Sequence, residues 1–365
     1  MQEKTVSIIG AGPAGGFTAY QLAKKGFDVR VYEEHEKIGV PVQCTGIVTS
    51  AIKDILHIKK EVVANKITKT RVYAPNGKFV EIKLRENFIL NRTLFDSQIC
   101  ELAKQEGAKI YTNHKFTDFD RNKIKIMNAG QEKFFATDYV VGADGPNSSV
   151  AKASGIYGKR KFFVGAQAVA KLKNDNAIEF FPHVSRMAWI CPENEDYARI
   201  GIADYGRVNE QFRNFLRERI GENYESKIVS KQGGLIPVFN PKLKMQDNNV
   251  FLVGDSATQV KATTAGGIIQ SLIASQAVSY SIEHSKNYER EWRKRLGRDL
   301  WLHLQVRRML DNFSQEDYNK LIEICSKEKT KHILEEYDRD FISKLAIKML
   351  FKEPKLLQFV KRYFF

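Results

Sequence analysis

A hexapeptide near the start of the chain, Gly10-Ala11-Gly12-Pro13-Ala14-Gly15, limits the fold more than any other feature. It follows the apolar run Val6 to Ile9 and precedes a helical pattern through Phe17, Ala19, Tyr20, Leu22 and Ala23. In a strand–turn–helix unit the glycines have separate tasks: a tight turn, close approach of backbone to a pyrophosphate, and close packing of helix on strand. Gly26 then closes the helix, and Val29-Arg30-Val31-Tyr32 reads as a second strand that ends at Glu33. An acidic residue about 20 positions beyond such glycines can hold ribose hydroxyls. The expected start is therefore a Rossmann-like α/β unit with a dinucleotide on the helix N-terminus.

A second segment, VFLVGDSATQVKATTAGGI at 250–268, pairs with the first. An apolar strand ends in Gly254-Asp255 and opens into small residues before a helix that begins near Gly267 and Ile268. That order fixes a carboxylate at a strand end beside backbone N–H groups aimed at an anionic or electron-rich partner. Together the two segments describe a flavin site.

Composition sets the remaining bounds. The chain has 365 residues, which calls for more than one subdomain. Its 43% hydrophobic and 28% charged content are those of a globular protein. No apolar run approaches the roughly 18 residues of a transmembrane helix. The first strand begins within five residues of Met1, so no signal peptide is expected. Cys44, Cys100, Cys191 and Cys325 are too scattered for a zinc or disulfide framework, so no metal site is expected and the expected location is the cytoplasm. The net charge of +15 has no zinc finger, RNP pattern or compact basic block beside it, so nucleic acid is not the expected partner. A solvated basic surface and attraction to anionic lipid or a phosphorylated substrate both remain.

The loop HEKIGVPVQCTG, with Pro41, Cys44 and Gly46, leaves the second strand where it can fold back over a cofactor. Residues 67–90 alternate around Pro75-Asn76-Gly77 as a hairpin does. Asn91-Arg92 opens a helix through Leu94, Phe95, Ile99, Leu102 and Ala103. Short strands are expected at 110–111 and 123–127, and Tyr139-Val140-Val141 runs into Gly142-Ala143-Asp144-Gly145. Strand-like stretches at 162–171, 177–181, 187–190 and 199–203 predict an antiparallel sheet, with a helix over 210–220. The rest is helical. The expected fold class is α/β, α+β overall. A discontinuous FAD-binding domain takes 1–66, 90–158 and 245–285, an antiparallel-sheet substrate domain 67–89 and 159–244, and a helical region 286–365.

These elements, in this order, resemble the FAD-dependent para-hydroxybenzoate-hydroxylase-like superfamily. The residues that carry the match are the glycine fingerprint with Glu33, Arg92 before Phe95-Asp96, Gly142-Ala143-Asp144-Gly145, and Gly254-Asp255. Pro41-Val-Gln-Cys44 and Gly254 to Ile268 are further similar to the archaeal geranylgeranyl reductase family, typified by digeranylgeranylglycerophospholipid reductases.

The resemblance implies FAD as cofactor and saturation of isolated C=C bonds in isoprenoid chains, with hydride from reduced flavin N5. It places Gly10, Gly12, Ala14 and Gly15 at the pyrophosphate and Glu33 at the adenosine ribose. Arg92 would neutralise phosphate charge, and Asp144 would support the nucleotide. Gly254 and Asp255 would hold the ribityl chain, and Gly267 and Ile268 the pyrimidine edge. Cys44, Thr45 and Gly46 would lie beside the isoalloxazine, with Cys44 positioning substrate or relaying a proton. Lys261 would meet a substrate phosphate or the flavin. By residue type alone, each has a plain alternative: Arg92 in an ion pair, Asp144 or Asp255 as a cap, Cys44 as a small buried apolar group, Lys261 as a solvated lysine.

Phe162, Phe163, Phe180, Phe181 and Trp189 offer aromatic walls for an apolar tunnel, or core packing of the sheet. The family's tunnel motif, Pro-x-x-Tyr-x-Trp-x-Phe-Pro, is half kept: Trp189 and Pro192 stand, while Val184, Met187 and Cys191 replace Pro, Tyr and Phe. A flavin monooxygenase or halogenase, or a flavoprotein without catalysis, are the other readings. No second glycine fingerprint follows a strand, so electrons are expected from an external donor: NAD(P)H, a ferredoxin or another carrier. At 341–365, Lys344, Lys348, Lys352 and Lys355 share one helical face, with Ile342, Leu345, Ala346 and Met349 mainly opposite. That segment, with its aromatic end Tyr363-Phe364-Phe365, predicts either peripheral contact with the inner face of the cell membrane or a cap on the protein's own core or a dimer partner.

Overall fold

In the computed structural model, which describes residues 4–337 and 339–364, the glycine fingerprint sits where the sequence puts it. Strand Thr5–Ile9 leads into helix Pro13–Ala23, and strand Asp28–Tyr32 follows. A six-stranded sheet forms in the order 246–247, 250–252, 139–142, 5–9, 28–32, 109–111. All its pairs are parallel except the short edge pair of 246–247 with 250–252. In register, Ile9 lies beside both Tyr32 and Gly142, and Gly142 beside Leu252. Gly10, Glu33, Ala143 and Val253 therefore emerge at one edge of the sheet. That carboxyl edge is where open α/β sheets take their ligands. Residues as far apart in sequence as Gly10 and Val253 come to one edge through this register alone.

A second sheet of eight strands holds 228–237, 162–171, 197–204, 187–192, 178–180, 63–73, 79–90 and 47–48 in that order. The antiparallel expectation needs correcting at one pair: Ile178–Phe180 runs parallel to Val63–Tyr73. The hairpin of 63–90 and the strands beyond 160 reach this sheet from separate parts of the chain. No tight turn links that pair, so nothing forces opposite directions. Strand Ile228–Pro237 had no clear alternation to announce it, because Gly233 and Gly234 interrupt it. A three-stranded meander, 115–120, 123–128 and 131–136, surrounds the one strand that the sequence suggested there.

Helix Glu328–Glu336 packs on strand Phe79–Leu90, and helix Ile342–Lys352 packs on that helix and on helix Arg298–Leu310. Among the described residues no helix is long and apolar enough to cross a membrane. Phe365 and the side chains of Val360 and Phe364, at the expected aromatic end, lie outside the described residues.

Candidate FAD and substrate site

Both sheets and the C-terminal helices border one cavity of about 1190 Å³. Its first half is the carboxyl edge of the parallel sheet. Gly10 has φ +99°, and a Cβ there would lie 2.5 Å from the Ala143 carbonyl oxygen. A Cβ on Gly15 would stand 1.9 Å from the Gly10 carbonyl oxygen, so both positions admit only glycine. Gly12 differs: it borders the cavity, and a Cβ there would meet nothing within 4 Å. It caps helix Pro13–Ala23 with no side-chain hydrogen bond and no acid in the first turn, leaving the N-terminus open to an anion.

Glu33 lies at the strand end and accepts the Ala11 N–H at 2.8 Å and the His35 N–H at 3.0 Å. It ties the glycine loop to the second strand while bordering the cavity. Arg92 makes a two-pronged ion pair with Asp96, at 3.0 and 2.7 Å. Burial works against its charge, but Asp96 and Cys44 hold the guanidinium above its ordinary pKa. A fixed cation thus faces the cavity. Asp144 accepts Ser148 Oγ at 2.6 Å and the Val150 N–H at 3.0 Å. It borders the cavity as well, but its carboxylate is occupied in organising the turn into helix Ser149–Ala153.

The second segment meets the first at close range. Gly254 has φ +72°, and a Cβ there would lie 2.9 Å from the Ala14 methyl. Ser275 Oγ donates to the Ala14 carbonyl at 2.9 Å and holds helix Ile268–His284 against the fingerprint helix. Asp255 faces the cavity, and its carboxylate has no hydrogen-bond partner among the described residues. Burial pushes its pKa up to about 6, with Arg92 opposing. Gly267 and Ile268 begin the helix there with no side-chain cap and no acid in the first turn. An open helix N-terminus, a cation and an unsatisfied carboxylate at one sheet edge fit a group with a pyrophosphate, hydroxyls and an electron-rich ring.

Arg199 holds the Cys44-Thr45-Gly46 loop against the second sheet. It is buried and donates to the carbonyls of Thr45 (2.6 Å) and Leu90 (3.0 Å), with Glu193 at 2.8 Å. Gly46 has φ +77°, and a Cβ there would collide with the Leu90 carbonyl at 2.6 Å. Thr45 Oγ1 and Trp189 Nε1 both donate to Gln167 Oε1, at 2.6 and 3.0 Å. Gln167 Nε2 is buried without a partner. Sequence reasoning missed Arg199 and Gln167. A charged residue inside the apolar run ARIGIAD was a signal for the first; nothing marked the second.

The other half of the cavity is lined by Thr70, Val72, Ile82, Leu84, Phe180 and Trp189 from the second sheet. Opposite them stand Leu310, Ile342, Leu345, Ala346 and Met349 from the helices. Of the five aromatic residues singled out, Phe180 and Trp189 face it. Phe163 stacks on Tyr205 at 4.7 Å and Phe181 on Tyr73 at 4.7 Å, both fully buried, and Phe162 is not on the wall. Strand alternation is the reason, since successive side chains point to opposite faces. Trp189 lies flat over Gly201, where a Cβ would come within 2.4 Å of its ring. In the altered tunnel motif Met187 faces the cavity, Cys191 is buried with Ile67, Ile89 and Ile178, and Val184 packs towards helix Asn209–Ile220.

Lys261 is a correction. It is neither solvated nor on the cavity wall. It is buried in an ion pair with Asp340, which also accepts Thr49 Oγ1 at 2.7 Å and Gln270 Nε2 at 3.3 Å. The apolar small-residue segment around it offers no other partner, so a buried ammonium needs this carboxylate. His303, which the sequence did not mark, faces the cavity with Nδ1 2.6 Å from Thr263 Oγ1, and burial lowers its pKa to about 3.

A family model described as FAD binding domain matches residues 3–272. The chain belongs to this FAD-binding family. FAD is therefore its cofactor. The chain is also 29% identical over 354 residues to a digeranylgeranylglycerophospholipid reductase of Methanothrix thermoacetophila, covering 87% of this chain and 90% of that one. It is 26% identical over 389 residues to the protein of that name in Methanocaldococcus jannaschii, covering 98% and 97%. Its fold matches the crystal structure of a geranylgeranyl bacteriochlorophyll reductase-like protein of Thermoplasma acidophilum, with a TM-score of 0.84, 19% identity, and 99% and 100% coverage.

Proposed function

We propose that this protein is an FAD-dependent reductase that saturates isolated C=C bonds in the isoprenoid chains of membrane-lipid precursors. The observation that supports it best is the continuity of the cavity. A cofactor cradle opens, past Cys44 and Trp189, into a long chamber walled by aliphatic and aromatic side chains. Reductase-named relatives that span most of the chain point to the same chemistry. Reduced FAD, when bound, supplies the hydride for one carbon of the alkene.

The protein's part is positioning and exclusion of water, because an unactivated double bond accepts hydride only where developing positive charge is sheltered. The Thr45–Gln167–Trp189 hydrogen bonds fix an indole on the chamber wall, where a π face stabilises such charge. Cys44 borders the same space and is the candidate to hold the proton for the second carbon. Electrons come from an external donor, NAD(P)H, a ferredoxin or another carrier, docked transiently.

The test is anaerobic turnover. Protein reduced with dithionite and mixed with geranylgeranyl lipid should reoxidise its flavin, and the lipid should gain two hydrogens per bond. A flavin that stays reduced with no mass gain would sink the proposal. Hydroxylated or halogenated product formed only with oxygen would favour the monooxygenase or halogenase reading.

Membrane contact is part of the proposal, but through different residues from those the sequence suggested. Ile342, Leu345, Ala346 and Met349 face the chamber. The outer face of the same helix exposes Ile347 (45%) and Phe351 (81%) among Lys344, Lys352 and Lys355. Apolar side chains ringed by lysines suit an anionic bilayer surface. Flotation with vesicles containing anionic lipid should retain the protein, and Phe351→Ser should weaken retention about tenfold, since a buried Phe is worth roughly 1.5–3 kcal/mol. Equal retention by the variant would remove this contact.

A further inference from the structure

The chamber ends in a recess that the cofactor and the chain-binding walls do not use. Arg85 and Tyr337 border both the chamber and an adjoining outer recess, which also takes in Phe341 and Lys344. Arg85 is exposed, so the chamber opens to solvent here. Arg339 stands on the chamber side of the same opening.

Neither arginine forms an ion pair with a carboxylate among the described residues. Arg339 has a 3.4 Å contact from Nη2 to Asn87 Oδ1, lies 5.9 Å from the Phe180 ring, and acts on the Asp340 carboxylate without reaching ion-pair distance. The buried Asn87 also donates through Nδ2 to the Arg85 carbonyl at 2.8 Å, so one amide links both arginine positions. The backbone beneath Arg339 is fixed by its neighbour Asp340, buried against Lys261 and Thr49. Among the described residues the acids that border the opening have other partners: Glu335 accepts the Lys83 N–H, Glu336 pairs with Lys348, and Asp299 accepts the Ser343 N–H. Two guanidinium groups thus stand at the mouth of an apolar chamber with donor capacity to spare. Guanidinium matches tetrahedral oxyanions with paired N–H donors.

We propose that Arg85 and Arg339 form a clamp for the phosphate of a substrate's head group, holding it at the mouth while its apolar chain occupies the chamber. The inference rests on the lipid-reductase reading and adds the head-group chemistry to it. The anion is a phosphate ester, whether a glycerophosphate diester or a terminal prenyl diphosphate. Lys344 adds a third positive charge on the outer side.

The test compares substrates with the same geranylgeranyl chains and either a phosphate-bearing or a neutral hydroxyl head. For the wild-type protein, kcat/KM should favour the phosphate-bearing lipid. In the double variant Arg85→Gln/Arg339→Gln, with FAD absorbance confirming the fold, that preference should fall about a hundredfold, roughly tenfold for each charge-assisted contact. A preference that stays the same in the variant overturns the clamp and leaves the reductase reading standing. Reduction of neither lipid by the wild type sinks the reductase reading instead.

Binding decides the clamp in that case. Saturated phytanyl phosphate, followed by tryptophan fluorescence, should bind the wild type at least tenfold tighter than the double variant, and phytanol should not discriminate between them. Geranylgeranyl diphosphate and the glycerophosphate lipid, measured separately, identify which ester the site takes. Inorganic phosphate binding as tightly as either lipid would overturn the head-group assignment.

Discussion

Asp255→Ala should purify folded and without flavin colour, with FAD affinity lowered about 10- to 100-fold. The carboxylate has no protein partner, points into the cradle, and sits on a strand end that Gly254 and Ala14 hold in place. A hydrogen bond to a charged group is worth about 1.5–3 kcal/mol, which sets that range. Full FAD occupancy in the variant would contradict the role. A second measurement separates ligand binding from folding. Burial raises Asp255 to about 6 in the folded apoprotein, against about 3.9 in an unfolded chain. The folded state then holds its proton more tightly, so wild-type stability declines as pH rises from about 4 to about 6 and is level above. Asp255→Asn, which does not titrate, should show no such decline and should be more stable than the wild-type apoprotein at pH 7 by up to about 2–3 kcal/mol. Urea unfolding of both apoproteins at pH 4.5 and pH 7 measures the difference, and an advantage independent of pH would refute the assignment. A residue that lowers the stability of the empty protein and raises its hold on the cofactor marks a binding site.

The second large effect is expected at Asp340. Asp340→Ala leaves Lys261 buried and unpaired and removes the acceptor of Thr49 and Gln270. Breaking one side of a buried ion pair costs about 3–5 kcal/mol. Burial alone would raise Asp340, but Lys261 and Thr49 outweigh it and hold the carboxyl down to about 2. Its contribution is therefore full above about pH 4 and lost as pH falls through 2. The paired replacement Lys261→Met/Asp340→Leu should be much less destabilised than Asp340→Ala, because no uncompensated charge remains. Denaturant midpoints for the three proteins test this, and a cost under about 1 kcal/mol for Asp340→Ala would show that the pair is not structurally important. Since Asp340 precedes the helix whose inner face lines the chamber, the single variant should also bind long isoprenoid chains poorly at temperatures where it is still folded.

Much of the cofactor half was legible because its determinants are local. Gly15 is dictated by a clash with the Gly10 carbonyl five residues before it, and Gly254-Asp255 by a strand end and the turn after it, while the Gly10 clash is with Ala143 and is closed only by the sheet. The chamber half was not. Whether Phe180 or Phe181 faces substrate depends on strand register and on which helix covers which face, and a shift of one residue exchanges them. The altered tunnel motif shows the same limit: of its changed positions Met187 reaches the cavity, while Cys191 is closed off by Ile67, Ile89 and Ile178.

Lys261 and the C-terminal helix show what sequence pattern cannot decide. A lysine among small residues reads equally as a ligand or as half of an ion pair, until a carboxylate 79 residues away is seen against it. A lysine-flanked amphipathic helix reads equally as an anchor or as a cap. In the structure its regular apolar face became a wall of the chamber, and two residues outside that pattern, Ile347 and Phe351, were left in solvent. The FAD-binding fold was legible in the chain, since the period of strand and helix and the turn after each strand act over short stretches. Only the tertiary structure decided what borders the chamber, where its mouth lies and which charges are spare, because partners distant in sequence meet only when the sheets and helices pack.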